Sequence, residues 1–145
     1  MTVGDDPNAV AISPNGKFVY VLKNELLTPD SNGAAVGMVS VVSTTTNMVL
    51  DTITVGVAPR ALAVAPDGTY VYVVNGDGTI SVIDTSCNIN TASITVENIG
   101  LSSLAITPDG AYIYVAGLGE IFVINTKVVV WLHLCRGLGR STVWL

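Results

Sequence analysis

Residues 62–73 read LAVAPDGTYVYV, and this stretch decides the fold because the chain contains it three times. Residues 10–21 read VAISPNGKFVYV, and residues 104–115 read LAITPDGAYIYV. The copies are offset by 52 and then 42 residues. A period in the range of about 20 to 50 residues indicates repeated supersecondary units. Such a unit cannot bury its own faces and must stack on its neighbours.

Each copy begins a run of short strands, which the middle unit illustrates. The turn Pro66-Asp67-Gly68 joins its first two strands, since Pro presets φ and Gly accepts a left-handed conformation. The second strand is apolar on both faces, as a strand between two packed layers requires. Asn75-Gly76 then predicts a tight hairpin. Four strands are predicted in this unit, at residues 61–65, 69–75, 79–84 and 91–96.

The sequence therefore predicts an all-β fold built as a segment of a β-propeller, with about three four-stranded antiparallel meander blades in an incomplete ring. No window shows sustained apolar residues at helical spacing. The predicted division is blade 1 at residues 2–54 with an enlarged loop at 23–37, blade 2 at 55–96, an incomplete blade 3 at 97–126, and a divergent tail at 127–145. Thr2-Val3-Gly4 matches Thr54-Val55-Gly56, so we expect it to mark the end of an outer strand whose own blade is absent.

Composition excludes several classes of protein. Half of the residues are hydrophobic and 12% are charged, which excludes intrinsic disorder. No apolar run approaches the roughly 20 residues of a membrane span, and residues 1–6 have neither the basic region nor the apolar core of a secretory signal. The net charge is −5, and the first 126 residues contain only Lys17, Lys23 and Arg60 as cations, against eleven acids. We therefore expect no nucleic-acid binding.

The tail differs in composition from the repeats. Residues 127–145 hold both tryptophans, the single histidine (His133) and three of the six basic residues, but no acid. Two interpretations stay open: a shifted or truncated reading frame, or a divergent cap in which residues 128–132 complete blade 3. Cys87 and Cys135 have no metal-ligand spacing with each other or with His133, so we interpret them as two unconnected thiols. The alternative is a disulfide between them, which requires their Cα atoms to lie within about 7 Å and stays open at the level of sequence.

Polar residues in the repeats have structural explanations. Asn15, Asp67 and Asp109 stand between Pro and Gly, where a short polar side chain binds its own backbone. Residues that end the third strands, Ser43, Asp84 and Asn125, are expected to bond turn amides. Tyr20, Tyr72 and Tyr114 recur at the repeat spacing and are expected in the core or between blades.

A few other residues were considered as functional candidates. Asp30, Asn32 and Gly33 resemble the opening of a calcium loop, but its later ligands are missing. His133 has no partner at a catalytic spacing. We predict no catalytic residue, no metal site and no cofactor, and the binding residues are not identified.

The repeat also resembles a known family. The matching residues are Val55-Gly56, Pro59, Pro66-Asp67-Gly68, Tyr72-Val73-Val74-Asn75 and Val82-Ile83-Asp84-Thr85 in the middle unit, with Val3-Gly4, Pro7, Tyr20-Val21 and Thr46-Asn47 before it and Pro108-Asp109-Gly110, Tyr114-Val115 and Ile124-Asn125-Thr126 after it. Over residues 2–126 the chain resembles the YVTN-type β-propeller repeat of surface-layer-like proteins, and it is similar to lactonase-like propellers.

The resemblance implies a non-catalytic scaffold or protein-interaction module at the cell surface or exterior. Its partner would be a protein, either a second copy or the remaining blades of a longer propeller. The alternative is a lactonase-like hydrolase acting on a sugar lactone, which needs polar or metal-binding residues where the blades converge. The strand starts offer mostly Ala, Ser, Asn and Arg60 there, without an acid–histidine set. A second alternative, a redox-associated propeller, would need cofactor ligands that the sequence does not provide.

Overall fold

A computed structural model describes residues 1–26, 35–96 and 100–127, together with the backbone of 141–144. All regular elements in these ranges are strands. They are β1 (Pro7–Ile12), β2 (Phe18–Leu26), β3 (Ala35–Ser43), β4 (Val49–Val57), β5 (Pro59–Val64), β6 (Tyr70–Asn75), β7 (Thr79–Asp84), β8 (Ile89–Thr95), β9 (Ser103–Ile106), β10 (Tyr112–Ala116), β11 (Ile121–Asn125) and β12 (Ser141–Trp144). The described part of the chain has no helix that is long and apolar enough to cross a membrane.

The strands form three antiparallel meanders, which confirms the predicted fold class. Blade 1 is the sheet β1-β2-β3-β4, blade 2 contains β5 to β8, and blade 3 has the order β11-β10-β9. Strand β12 pairs in parallel with β8, so it extends the outer edge of blade 2. Residues 128–132, which one interpretation assigned to blade 3, lie outside the described residues.

The first strands of the blades lie side by side, with β1 beside β5 and β5 beside β9. These are the strands that carry Val10, Leu62 and Leu104, so the three copies of the repeat line a common centre. The blades therefore succeed one another around that centre, as in an arc of a propeller.

The structure corrects the bounds of the enlarged loop predicted at residues 23–37. Strand β2 continues to Leu26 and β3 begins at Ala35, with Glu25 paired to Val36 and Leu26 paired to Ala35. Strand β4 likewise continues to Val57, beyond the predicted end of blade 1 at residue 54. The remaining part of the loop, residues 27–34, lies outside the described residues.

Each Pro-containing turn is closed in the same way. The amides of Gly16, Gly68 and Gly110 donate to the carbonyl oxygens of Ser13, Ala65 and Thr107, each at 2.8 Å. All three glycines have a positive φ, of 70°, 77° and 72°. A threonine at the end of the third strand then fastens the turn: Thr44, Thr85 and Thr126 donate their hydroxyls to the carbonyl oxygens of the same three glycines. The turn chemistry predicted from Pro and Gly is thus present in each blade.

Among the described residues, two cores lie between successive blades. The first contains Tyr20, Leu22 and Val41 of blade 1, packed with Val71 and Val73 of blade 2. The second contains Tyr72, Val74 and Val82 of blade 2, packed with Ile113 and Val115 of blade 3. Each core is therefore made by two facing sheets, and a blade with one neighbour leaves its other face uncovered.

Candidate functional site

The two faces of each blade are distinct. The trailing flank faces the following blade and carries the repeated tyrosine, while the leading flank faces the preceding blade. At the junction between blades 1 and 2, Leu62 and Val64 of the leading flank pack against the core that contains Tyr20. At the next junction, Leu104 and Ile106 pack against the core that contains Tyr72. Both junctions therefore pack aliphatic residues of an inner strand against the core that contains the repeated tyrosine.

Within the described residues, no blade covers the trailing flank of blade 3. Tyr114 is 45% exposed, whereas Tyr20 and Tyr72 at the equivalent positions are each 2% exposed. Burial raises the pKa of Tyr72 to about 12, with smaller contributions from Tyr70 and Asp67. The exposed large side chains of this flank are Tyr112, Tyr114, Ile121 and Val123. The prediction of an interblade tyrosine thus holds at two positions, and the third lies on a bare flank.

The leading flank of blade 1 is bare at its inner strand. Val10 and Ile12 are 65% and 62% exposed, although Leu62 and Val64 at the same repeat positions pack into a core. An apolar patch of this kind on a folded protein usually marks a contact surface. The described part of the chain therefore has one bare flank of each type.

The Pro-containing turn of blade 1 also lacks a neighbour that the equivalent turns of blades 2 and 3 have. A Cβ added to Gly68 would lie 3.6 Å from Cδ of Pro14, and a Cβ added to Gly110 would lie 3.6 Å from Cδ of Pro66. Gly68 and Gly110 thus each lie beside the proline of the preceding blade. At Gly16 an added Cβ would meet nothing within 4 Å. The turn of blade 1 therefore has an unfilled place for a preceding proline.

Residues 3–4 lie against blade 1 as residues 55–56 lie against blade 2. Ser40 Oγ donates to the carbonyl oxygen of Val3 at 3.4 Å, and Ser81 Oγ accepts from the amide of Gly56 at 3.2 Å. Gly4 packs against the buried Lys23, and Gly56 packs against the buried Asn75. The predicted match between residues 2–4 and 54–56 is thus a match in position: residues 3–4 lie where the outer strand of a preceding blade would end.

A polar cleft lies between blades 1 and 2, near the starts of their inner strands. Its volume is about 660 Å³. It is lined by Asp5, Asp6, Asn8, Asn24, Glu25, Ala35, Ala58, Pro59 and Arg60. Three carboxylates, two amides and a guanidinium can both accept hydrogen bonds from a polar solute and donate hydrogen bonds to it. Within the described residues, no group of three or more His, Cys, Asp or Glu side chains could hold a metal ion.

The backbone in the cleft is strained at two positions. Asp6 and Ala58 have φ of 48° and 50°, which is the left-handed region, and they occupy equivalent places before Pro7 and Pro59. Gly100 holds that place in blade 3 with φ of 91°. Because the conformation recurs in every blade, it belongs to the construction of the blade rather than to chemistry in the cleft.

Sequence reasoning placed Arg60 near the point where blades converge, and the structure places it in the cleft. It did not identify Asp5, Asp6 and Glu25 as neighbours of Arg60. The available signal was the alignment of Asp5-Asp6 with Val57-Ala58, which puts both acids directly before an inner strand.

The polar residues assigned to turns lie in those turns. Oδ1 of Asp67 accepts from the amide and hydroxyl of Thr69, at 3.0 and 2.6 Å, and these hydrogen bonds lower the pKa of Asp67. Oδ1 of Asp109 accepts from the Thr107 hydroxyl and the Ala111 amide, which lowers the pKa of Asp109. Asn15 accepts in the same way from the Lys17 amide at 2.9 Å.

The strand-end residues also bond turn amides. Asp84 accepts from the Ser86 amide at 2.8 Å, and Asn125 accepts from the Lys127 amide at 2.9 Å. Ser43 Oγ accepts from the Thr46 amide at 3.4 Å.

The remaining candidates lie mostly outside the described residues. These are the calcium-like residues Asp30, Asn32 and Gly33, and also His133 and Cys135. Cys87 is disulfide-bonded, which corrects the interpretation of two unconnected thiols.

Comparison with known proteins agrees with this architecture. Residues 2–86, more than half of the chain, match the family described as "Lactonase, 7-bladed beta-propeller". The chain is 36% identical over 75 residues to "Antigen Lp49" of Leptospira interrogans, which covers 49% of this chain and 16% of the antigen.

Solved structures show the same fold. Hydrazine synthase of Kuenenia stuttgartiensis superposes with a TM-score of 0.70 and 30% identity, over 88% of this chain and 34% of that one. The Cps50 (Swd1) β-propeller domain of Myceliophteria thermophila gives 0.68 with 11% identity, over 86% of this chain and 35% of that one. The chain thus spans about a third of these structures and a smaller share of the antigen. From the family match, the repeat and the three meandering blades together, the chain belongs to the lactonase family of seven-bladed β-propellers.

Proposed function

We propose that this chain acts as a non-catalytic propeller scaffold, a protein-interaction module that binds other blades through its two bare flanks. The observation that carries the proposal is the contrast between Tyr72 and Tyr114, which hold the same repeat position and are 2% and 45% exposed. A position that is buried wherever a following blade exists, and open where none does, is a binding surface for a blade. The partner is therefore a protein.

The polar chemistry of the repeats supports a scaffold role. The carboxylates of Asp67, Asp84 and Asp109 are engaged with backbone amides of their own turns. Groups committed in this way stabilise turns and are poorly placed to bind a substrate. A setting at the cell surface or exterior is part of the proposal, and the similarity to a protein named as an antigen supports it.

A lactonase-like hydrolase is the second candidate, and the polar cleft favours it. Glu25, Asp5 and Asp6 are carboxylates that could take part in acid–base chemistry, and Arg60 could stabilise the negative charge that develops on a lactone carbonyl. The family to which the chain belongs is consistent with this alternative.

Lactone hydrolysis by the purified chain separates the two candidates. A panel of simple and sugar lactones should be hydrolysed at the buffer rate by the native chain and by Arg60→Ala and Glu25→Gln. Hydrolysis above the buffer rate that falls in these variants but persists in Lys17→Ala, a change in an exposed turn outside the cleft, would establish the enzyme and overturn the scaffold.

A further inference from the structure

We propose that strand β12 is a strap, which a disulfide at Cys87 fastens over the outer edge of blade 2 and which reduction releases. The strap consists of Ser141–Trp144 and is the fifth strand of that sheet. Its anchor is the turn between β7 and β8, where Cys87 lies. The inference does not depend on the scaffold proposal, because neither bare flank takes part in it.

The first observation is the place of β12 in the fold. It pairs in parallel with β8, from Ser141 opposite Ala92 to Trp144 opposite Thr95. The outer strand of blade 1, β4, is paired with β3 alone among the described strands. An outer strand presents a row of unpaired N–H and C=O groups, which another strand can join. Strand β12 therefore covers an edge that the equivalent strand of blade 1 leaves open.

The second observation is the position of the disulfide. Cys87 is disulfide-bonded and lies in the turn just before β8 begins. The turn is held in place by Thr85, whose hydroxyl donates to the carbonyl oxygen of Gly68 at 2.6 Å. The equivalent turn of blade 1 has Thr46 in place of the cysteine. Between these two blades, the one that has the cysteine is thus the one that has the fifth strand.

The register of β12 links these two observations. Each paired residue of β12 is numbered 49 above its partner in β8, as Ser141 is above Ala92. Continued towards the turn, this numbering sets position 136 opposite Cys87, next to Cys135, which is the other cysteine of the chain. Neighbouring strands lie about 4.8 Å apart and rise about 3.3 Å per residue, which corresponds to about 6 Å between the two Cα atoms. That separation lies within the disulfide range of about 4.4 to 6.8 Å. We therefore assign Cys135, which lies outside the described residues, as the partner of Cys87.

Reduction opens the anchor by thiol–disulfide exchange. A dithiol such as dithiothreitol attacks one sulfur as its thiolate, so that the S–S bond of the protein breaks and a mixed disulfide forms. The second thiol of the reagent then closes an oxidised ring, and the protein gains two electrons and two protons as a pair of thiols. After that step β12 is held by strand pairing alone, and so short a pair is marginally stable. The released edge of β8 exposes backbone groups that an extended strand of another protein can bind.

The experiment measures hydrogen exchange of the full native chain before and after dithiothreitol, read out on peptides from β8 and from β4. Mass mapping of the oxidised chain should find Cys87 linked to Cys135, and neither thiol should react with iodoacetamide. Reduction should raise the exchange rate of the β8 amides by about tenfold or more, because the edge then opens locally. The peptide from β4 is the matched control, since that outer strand has no fifth strand, and its exchange should not change.

Two variants separate the anchor from the strand pairing. Cys87→Ser should exchange at β8 like the reduced chain, and dithiothreitol should have no further effect on it. Thr142→Pro combined with Val143→Pro removes two adjacent amides of β12, one of which points towards β8. This double variant should keep the disulfide and should still exchange rapidly at β8 in the oxidised state.

Three results would overturn the inference. One is a free thiol at Cys87 in the native protein, or a disulfide between two chains. Another is a β8 exchange rate that both reduction and Cys87→Ser leave unchanged. The third is faster exchange in every peptide on reduction, including those of blade 1, because the disulfide would then stabilise the whole fold and not one edge. The scaffold proposal is unaffected by all three, since the lactone assay tests it separately.

Discussion

A single short side chain organises each Pro-containing turn. Asn15, Asp67 and Asp109 do this in successive blades, each by accepting the amide of the residue two positions later. The change from Asn to Asp leaves the geometry intact and adds a group that titrates. The three turns therefore allow a neutral side chain to be compared with a charged one at the same hydrogen-bonding position.

Asp67→Ala should lower the unfolding free energy by about 0.5–1 kcal/mol at pH 7, because two hydrogen bonds to an exposed turn are lost. The pKa of Asp67 lies below its ordinary value of 3.8 in the folded chain. Its ionised form therefore contributes stability above that pH, and the contribution disappears as the pH falls through the folded value. Denaturant unfolding from pH 7 to pH 2.5 should show the loss shrinking at low pH. Asn15→Ala is the control, because Asn15 has no carboxylate to titrate. If the loss of unfolding free energy depended on pH equally in the two variants, the pH effect could not be assigned to Asp67.

Ala58 offers a test of backbone strain. It has φ of 50°, in the region that costs an L-residue roughly 1–2 kcal/mol, and Gly100 occupies the same place in blade 3. Ala58→Gly should raise the unfolding free energy by about 0.5 kcal/mol, after the larger chain entropy of glycine is subtracted. Ala61→Gly, within strand β5, should lower it. A loss of stability in Ala58→Gly as large as that in Ala61→Gly would show that the strain is absent.

At the scale of elements, the hairpin of β2 and β3 shows where sequence patterns fail. Lys23, Asn24 and Glu25 are poor strand formers, so the pattern predicts a loop. The ladder nevertheless continues, because Asn24 pairs with Gly37 and Glu25 with Val36. Pairing with a partner strand overrides the local preference of three residues, and a single sequence does not display that partner. The repeated turns were predictable because Pro and Gly act through local dihedral angles.

Gly37 tests how closely the elements approach one another. A Cβ at this position would lie 2.6 Å from the carbonyl oxygen of Gly56 and 2.5 Å from Cγ of Pro59. Because a backbone atom must move, Gly37→Ala should lower the unfolding free energy by about 2–3 kcal/mol. Gly76→Ala is the graded control, since its Cβ would lie 3.0 Å from the nearest atom, and it should lose less. Equal thermal midpoints for Gly37→Ala and the native chain would contradict this packing.

At the scale of the whole molecule, the repeat predicted both the blades and their number. It also implied that an arc leaves two faces bare, but only the burial pattern shows which side chains those faces expose. The polar cleft was less predictable. Asp5, Glu25 and Arg60 are distant in sequence and meet only because three strand ends converge. These residues do not belong to the repeated motif, so the motif could not predict that they lie together.

The central claim also concerns the whole molecule. It is that the trailing flank of blade 3 has the surface of a junction between blades but lacks the following blade that would cover it. Hydroxyl-radical labelling of the native chain, read out at each tyrosine by mass spectrometry, measures this directly. In dilute solution Tyr114 should be labelled much faster than Tyr20 and Tyr72, in keeping with exposures of 45%, 2% and 2%. A Tyr72 that is labelled as fast as Tyr114 would contradict the account.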